Sequence, residues 1–208
     1  ENRKLNKEVE KWKAAAAALS DIAAMGGVAR WMLVTLGCSS DADPEYLEQI
    51  YRGIADLTEC YGVVVVGGDT VHAPGGMLLD MAVVGEMEAG SEPKYRSGAQ
   101  LDDVIFVTGY PGASALGMAG LKRIDDNAPD MLIEAHTRPR PRLAEGAWLG
   151  REAVVHAMMD VSDGLVADLG HIADRSAVGI AIETALLPVS PDMRRYAESI
   201  GEIGRAHV

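Results

Sequence analysis

A run of four valines, Val63 to Val66, leads without a break into Gly67-Gly68-Asp69-Thr70, and no other stretch constrains the fold as tightly. So short an apolar run, with no polar alternation, reads as a strand buried on both faces. The two glycines after it permit close backbone approach to a ligand, and Asp69 is then expected to project from the strand end. A Gly-Gly-Asp turn is also a common loop, so these residues do not specify a site by themselves. Upstream, Asp43 offers an N-cap and Pro44 a first helical residue. Leu47, Ile50, Tyr51, Ile54, Leu57 and Tyr61 then recur at helical spacing until Gly62 stops the helix. Residues 28–37 (VARWMLVTLG) suit a strand, as do residues 77–87.

An Ala-rich helix is expected over residues 8–25, with Ala15, Leu19, Ile22 and Met25 broadly on one side and Gly26-Gly27 at its end. Asp21 falls in its last turns, where the helix dipole disfavours a carboxylate. It is either a solvated acid or one held there to bind a cation. The polar stretch Glu88 to Asp103, which contains Arg96, divides the chain into domains at 1–92 and 93–208. Beyond it the pattern predicts strands at 104–109, 154–160 and 179–184 and helices at 114–124, 143–153, 165–176 and 191–200. Residues 125–141 read as a Pro-punctuated linker. Its alternating Arg138, Arg140 and Arg142 are either solvated or aligned toward phosphate. The fold class is α/β with mixed sheets.

Of the 208 residues, 31 are Asp or Glu and 19 are Lys or Arg, a formal net charge of −12. That balance argues against nucleic-acid binding and against anionic membranes. A nucleotide could bind only with Mg²⁺ or a local arginine supplying positive charge. Cys38 and Cys60 form no metal-ligand spacing and no disulfide framework, which fits a reducing cytosol. Residues 14–36 carry Asp21, Arg30 and a Gly-Gly break, so they are not read as a membrane span. The five histidines lack zinc-site spacing, a Walker A sequence is absent, and Ser114 is not in a nucleophile elbow.

The most chemically specific stretch is Asp160-Val-Ser-Asp-Gly-Leu-Val-Ala-Asp-Leu-Gly-His171. Asp160, Ser162 and Asp163 lie at the start of an apolar-periodic helix, where exposed N–H groups favour anions. Two acids at such a place would repel a phosphate unless divalent cations sat between them. The plainer alternative is Ser162 or Asp163 as an N-cap beside one solvated aspartate.

Residues 19–27 (LSDIAAMGG), 61–70 (YGVVVVGGDT), 96–98 (RSG), 107–117, 138–142 (RPRPR) and 160–171 are collinear with the motifs of thiamine-monophosphate kinases. The chain resembles that family, part of the superfamily that includes aminoimidazole ribonucleotide synthetase and selenophosphate synthetase. The resemblance implies an α/β (α+β with mixed sheets), two-domain aminoimidazole ribonucleotide synthetase-like architecture. Residues 1–92 would be a partial ATP/Mg-binding and dimerisation domain, and residues 93–208 a partial C-terminal α/β domain. The implied reaction is direct in-line transfer of a phosphoryl group from ATP to thiamine monophosphate, giving thiamine diphosphate. By the same resemblance Asp21, Asp69 and Asp160 are Mg²⁺ ligands, and Asp163 holds a further Mg²⁺ near the acceptor. Gly68, Asp69, Arg96, Ser162 and Tyr51 belong to the ATP site, with Asp160, Asp163 and Asp69 as the catalytic set. A cytoplasmic homodimer, formed through sheets of the N-terminal half, is also implied.

Family members carry a Gly-Asp-Asp segment before the first helix and a Gly-Gly-Glu-Asp-Tyr-Glu type segment past position 200. This chain has neither, and it has Ala18 where many relatives have Asn and His72 where many have Arg. The expectation is therefore a chain cut at the start of one domain and the end of the other. Two other readings stand beside the kinase. One is a non-catalytic nucleotide-binding or dimer-forming module. The other is a further ATP-dependent member of the superfamily, against which the GGDT and DVSDGL wording argues.

Overall fold

The computed structural model describes residues 2–201. In chain order the elements are α1 (Asn2–Ala24), β1 (Val28–Cys38), α2 (Pro44–Tyr61), β2 (Val64–His72), β3 (Leu78–Glu86) and α3 (Ala113–Arg123). They continue with α4 (Asp130–Thr137), α5 (Leu143–Arg151), α6 (Leu165–Ser176) and α7 (Pro191–Ile200). The chain packs as two compact units. The first runs to Pro93 and also takes in Pro141–Glu152; the second holds Lys94–Arg140 and the residues from Ala153 on.

In the first unit, β1 is the middle strand of three, in the order β2-β1-β3. It pairs parallel with β2 and antiparallel with β3. A parallel pair needs a crossover, and α2 supplies it. Asp43 Oδ1 accepts the Glu45 N–H at 3.0 Å to start α2, and Gly62, at φ 66°, ends it. One face of β1 (Met32, Val34, Leu36) is buried with Leu19 of α1 and Ile50, Ile54 and Leu57 of α2. Each such side chain contributes on the order of 2 kcal/mol through burial.

The opposite face is open. Trp31, Val64 and Val84 form one row across it and remain 44%, 58% and 49% exposed. The expectation that the valine run is buried on both faces is therefore corrected. Val63 alone is buried, and it lies just before β2, an edge strand whose residues are exposed along its whole length.

The helix α5 joins this unit through a contact that only glycine permits. A Cβ on Gly146 would lie 2.3 Å from the Ala23 carbonyl oxygen, and one on Gly150 2.7 Å from Gly26 Cα. Arg151 Nη1 adds an ion pair with Glu88 Oε2 at 2.8 Å.

The second unit has its own core of Leu116, Leu132, Met193, Tyr196 and Ala197. Helices α3 and α4 touch so closely that a Cβ on Gly117 would meet the Leu132 carbonyl oxygen at 1.9 Å. The linker reading of residues 125–141 is corrected by α4, which starts after Pro129 and ends before Pro139. Helices α6 and α7 match their predicted limits.

The strands expected at 104–109, 154–160 and 179–184 do not form among the described residues. Apolar content suggested them, but a strand exists only through a ladder. Here Phe106 and Val154 are 88% and 80% exposed, and residues 154–160 meet their surroundings through individual hydrogen bonds. One such link is the Met158 N–H donating to the Tyr95 carbonyl at 3.0 Å.

Candidate active site

In the first unit the Gly-Gly-Asp-Thr segment lies inside β2, not at its end as expected. Gly67, Gly68, Asp69 and Thr70 pair with Leu33, Val34, Thr35 and Leu36 of β1. The register skips Val66, since Met32 pairs with Val65 and Leu33 with Gly67, which is the mark of a bulge. Gly68 follows at φ 154°, with the Val34 carbonyl oxygen 1.8 Å from where a Cβ would sit. Its first requirement is thus closeness to β1, whatever else it touches.

Asp69 is exposed and in one row with Thr35 and Asp80. One of its oxygens accepts the Thr70 N–H at 2.8 Å. Tyr51 of α2 brings its hydroxyl to within 3.5 Å of Thr70 Oγ1, so Tyr51 and the Asp69-Thr70 step are neighbours. Asp21 is exposed in the last turns of α1.

In the second unit Asp160 is half-buried, while Ser162 and Asp163 are exposed just before α6. Neither Ser162 nor Asp163 is the N-cap. That position is Gly164, at φ 130°, and no side chain caps it.

The loop is instead held from inside the helix. Asp168, 2% exposed, places one oxygen against the N–H groups of Ser162, Asp163 and Gly164 at 2.9, 3.2 and 3.1 Å. Sequence reasoning missed this residue; the available signal was an acid in the first turn of a helix whose preceding residues offer donors. These three N–H groups are occupied by the protein's own carboxylate, while the side chains of Ser162 and Asp163 are left out of capping duty.

Arg96 is exposed on a loop anchored at several points within the same unit. Ser176, the last residue of α6, bonds to the backbone of Arg96, Gly98 and Ala99. Asp103 receives the Gln100 N–H at 2.8 Å and the His156 ring at 2.9 Å. The Gln100 N–H first, and His156 second, hold the Asp103 carboxyl below the usual aspartate range. Of the three arginines read as a possible phosphate ladder, Arg142 pairs with Glu145 at 3.2 Å, while Arg138 and Arg140 are exposed.

The carboxylates named from the sequence are hard oxygen donors, suited to Mg²⁺ rather than to zinc or copper. No group of three or more His, Cys, Asp or Glu side chains gathers among the described residues.

Residues 11–87 match the family model described as AIR synthase related protein, N-terminal domain. The thiamine-monophosphate kinase of Escherichia coli (strain K12) is 39% identical over 191 residues, covering 90% of this chain and 57% of that protein. Among solved structures, AaThiL complexed with AMPPCP and TMP has a TM-score of 0.86 and 34% identity, covering 96% of this chain and 63% of that one. The crystal structure of thiamine monophosphate kinase from Aquifex aeolicus has a TM-score of 0.85 and 35% identity, and this chain covers 68% of it. The chain belongs to the thiamine-monophosphate kinase family. Its mixed α/β architecture is therefore the AIR synthase-like fold of that family. It spans little more than half the length of the curated thiamine-monophosphate kinases it matches, 57% in the case of Escherichia coli. No helix among the described residues is long and apolar enough to cross a membrane.

Proposed function

We propose that this chain is part of an ATP-dependent kinase that phosphorylates thiamine monophosphate to thiamine diphosphate. The observation that carries the reading is the match of 96% of the chain, at 34% identity, to AaThiL complexed with AMPPCP, an ATP analogue, and TMP. Phosphoryl transfer between two anions demands charge neutralisation above all, and a protein of net charge −12 cannot supply it from its bulk surface. When bound, Mg²⁺ would neutralise the nucleotide phosphates. By the family resemblance Asp21, Asp69 and Asp160 would be Mg²⁺ ligands and Asp163 would hold a further Mg²⁺ near the acceptor; all but the half-buried Asp160 are exposed.

In this reading Arg96 adds the cationic contact to ATP, and Gly68, Ser162 and Tyr51 complete its site. The protein positions the acceptor in line with the transferred group and needs no covalent intermediate. In this reading the N-terminal domain, to which Pro141–Glu152 also packs, serves ATP, Mg²⁺ and dimerisation, and the second unit is the C-terminal domain. The family resemblance implies a cytoplasmic homodimer, and the open apolar row of Trp31, Val64 and Val84 supports a dimer that uses this sheet.

The test is chromatographic detection of thiamine diphosphate after the full-length protein meets thiamine monophosphate, ATP and Mg²⁺. Product that disappears with EDTA is expected. Its absence, from protein that still binds ADP, would replace this reading with another acceptor or a non-catalytic nucleotide-binding module.

A further inference from the structure

The hydroxyl of Ser176 spends its whole hydrogen-bonding capacity on one loop. A serine hydroxyl has one donor and two acceptor positions. Ser176 Oγ donates to the Arg96 carbonyl at 3.2 Å and accepts from the N–H groups of Gly98 and Ala99 at 3.2 and 3.1 Å. These partners lie 77 to 80 residues away in the sequence, so the contact is tertiary and not a local helix-end bond.

The loop has no room to take another path. Gly98 sits at φ 118°, and a Cβ there would come within 2.7 Å of the His156 carbonyl oxygen. The same helix, α6, carries Asp168 at its first turn, where it fixes residues 162–164. One helix therefore ties down residues 162–164 at its head and the Arg96–Ala99 loop at its tail.

We infer that Ser176 is a positioning residue for ATP, acting through the backbone of the Arg96 loop. The inference rests on the assignment of Arg96 to the nucleotide in the proposed function. A serine in the last turn of a surface helix would otherwise be read as a mild helix breaker. Without its hydroxyl, the Arg96 carbonyl and two N–H groups turn to water, and the guanidinium samples positions that no longer suit a phosphate.

The experiment compares Ser176→Ala, Ser176→Thr, Arg96→Ala and the Ser176→Ala/Arg96→Ala double variant in the full-length protein. Ser176→Ala is expected to raise KM for ATP about tenfold, with kcat and KM for thiamine monophosphate within about twofold. Ser176→Thr, which keeps the hydroxyl, restores the wild-type KM. In the Arg96→Ala background the serine change adds nothing further, because both act through one contact. An unchanged KM for ATP, or additive effects in the double variant, would overturn the inference.

Should Ser176→Ala lower Tm by more than about 5 °C, Ser176→Cys provides the same comparison with the space filled and a weaker donor and acceptor. If the wild type makes no thiamine diphosphate, the proposed reaction fails while the inference is read from the Kd for ADP in the presence of Mg²⁺. A rise of about tenfold in Ser176→Ala sustains it. An equal Kd in the two proteins, or no ADP binding by either, rejects it.

Discussion

The two units hold acidic residues of the same chemical type by different means. Asp69 in the first unit is fixed by a strand, its backbone paired in register with Thr35 and its neighbours locked by the same ladder. Asp163 in the second is carried by an irregular loop whose shape depends on one buried side chain, Asp168. A ladder distributes positioning over many backbone bonds, so no single exposed side chain can release it. A side-chain clasp concentrates positioning in one residue and makes the loop sensitive to point substitution. Equal losses of stability in the two units should therefore have unequal consequences for turnover.

The largest expected effects treat the two sets of acids alike. Asp160→Asn and Asp69→Asn should each lower turnover of thiamine monophosphate at least about 1,000-fold, the scale of losing a ligand to the cation that neutralises the transferred phosphate. Tm should stay within about 3 °C in both, since these side chains are not core residues. Steady-state kinetics beside a thermal melt would decide it; near-normal turnover in either variant removes that residue from the metal set. Gly68→Ala comes next, and it probes the ladder itself. Its Cβ would be driven into the Val34 carbonyl at 1.8 Å from a backbone that side chains rarely adopt. A loss of more than about 3 kcal/mol in denaturant unfolding is expected. Unchanged stability would mean that β2 can slide off this register at no cost.

Much of the first unit was legible because its signals are local. Asp43 with Pro44 at one end and Gly62 at the other bracket α2 as the sequence implies. The alternation in β1 between buried Met32, Val34 and Leu36 and exposed Trp31 and Leu33 is the two-residue period of a strand covered on one side. What failed there was non-local: the valine run does not announce that β2 is an edge strand exposed along its length. In the second unit, helices α6 and α7 were legible from periodicity, but residues 104–109 and 154–160 were misread. Their apolar content is that of strands, whereas a strand is defined by a partner, and partners are not encoded nearby. The acids Asp160 and Asp163 could be named from the sequence; Asp168 was missed, because its one signal, an acid in the first turn of a helix, does not show that it reaches back to three N–H groups.

Asp168→Ala tests the clasp directly. It leaves three N–H groups without their carboxylate, at a cost of about 2 kcal/mol. Ile54→Val in the first unit trims a fully buried side chain at a cost of about 1 kcal/mol, and Leu57→Ala brackets the range at about 3 kcal/mol. Below the melting temperature, Asp168→Ala should lower kcat about tenfold or more while the two core variants keep wild-type kinetics. Matching kinetic losses in all three would show that global stability, and not the loop, governs turnover.

The smallest effect concerns the second anchor of the Arg96 loop. Asp103 is held below the usual aspartate range by the Gln100 N–H and by His156, so the folded state favours its ionised form. The sign follows from linkage: the unfolded chain binds this proton more readily. The stabilisation is fully present above the ordinary aspartate range and is lost as pH falls through the lower folded value. Solvent exposure keeps the effect small. Comparing Tm at about pH 7 and at about pH 3, the wild type should lose more than Asp103→Asn, because the amide has no charge to lose. Since other aspartates are common to both proteins, the difference between the two losses isolates this group. Identical losses would show that the Asp103–His156 contact adds nothing to the folded state, leaving Ser176 and Met158 as the anchors that fix the Arg96 loop.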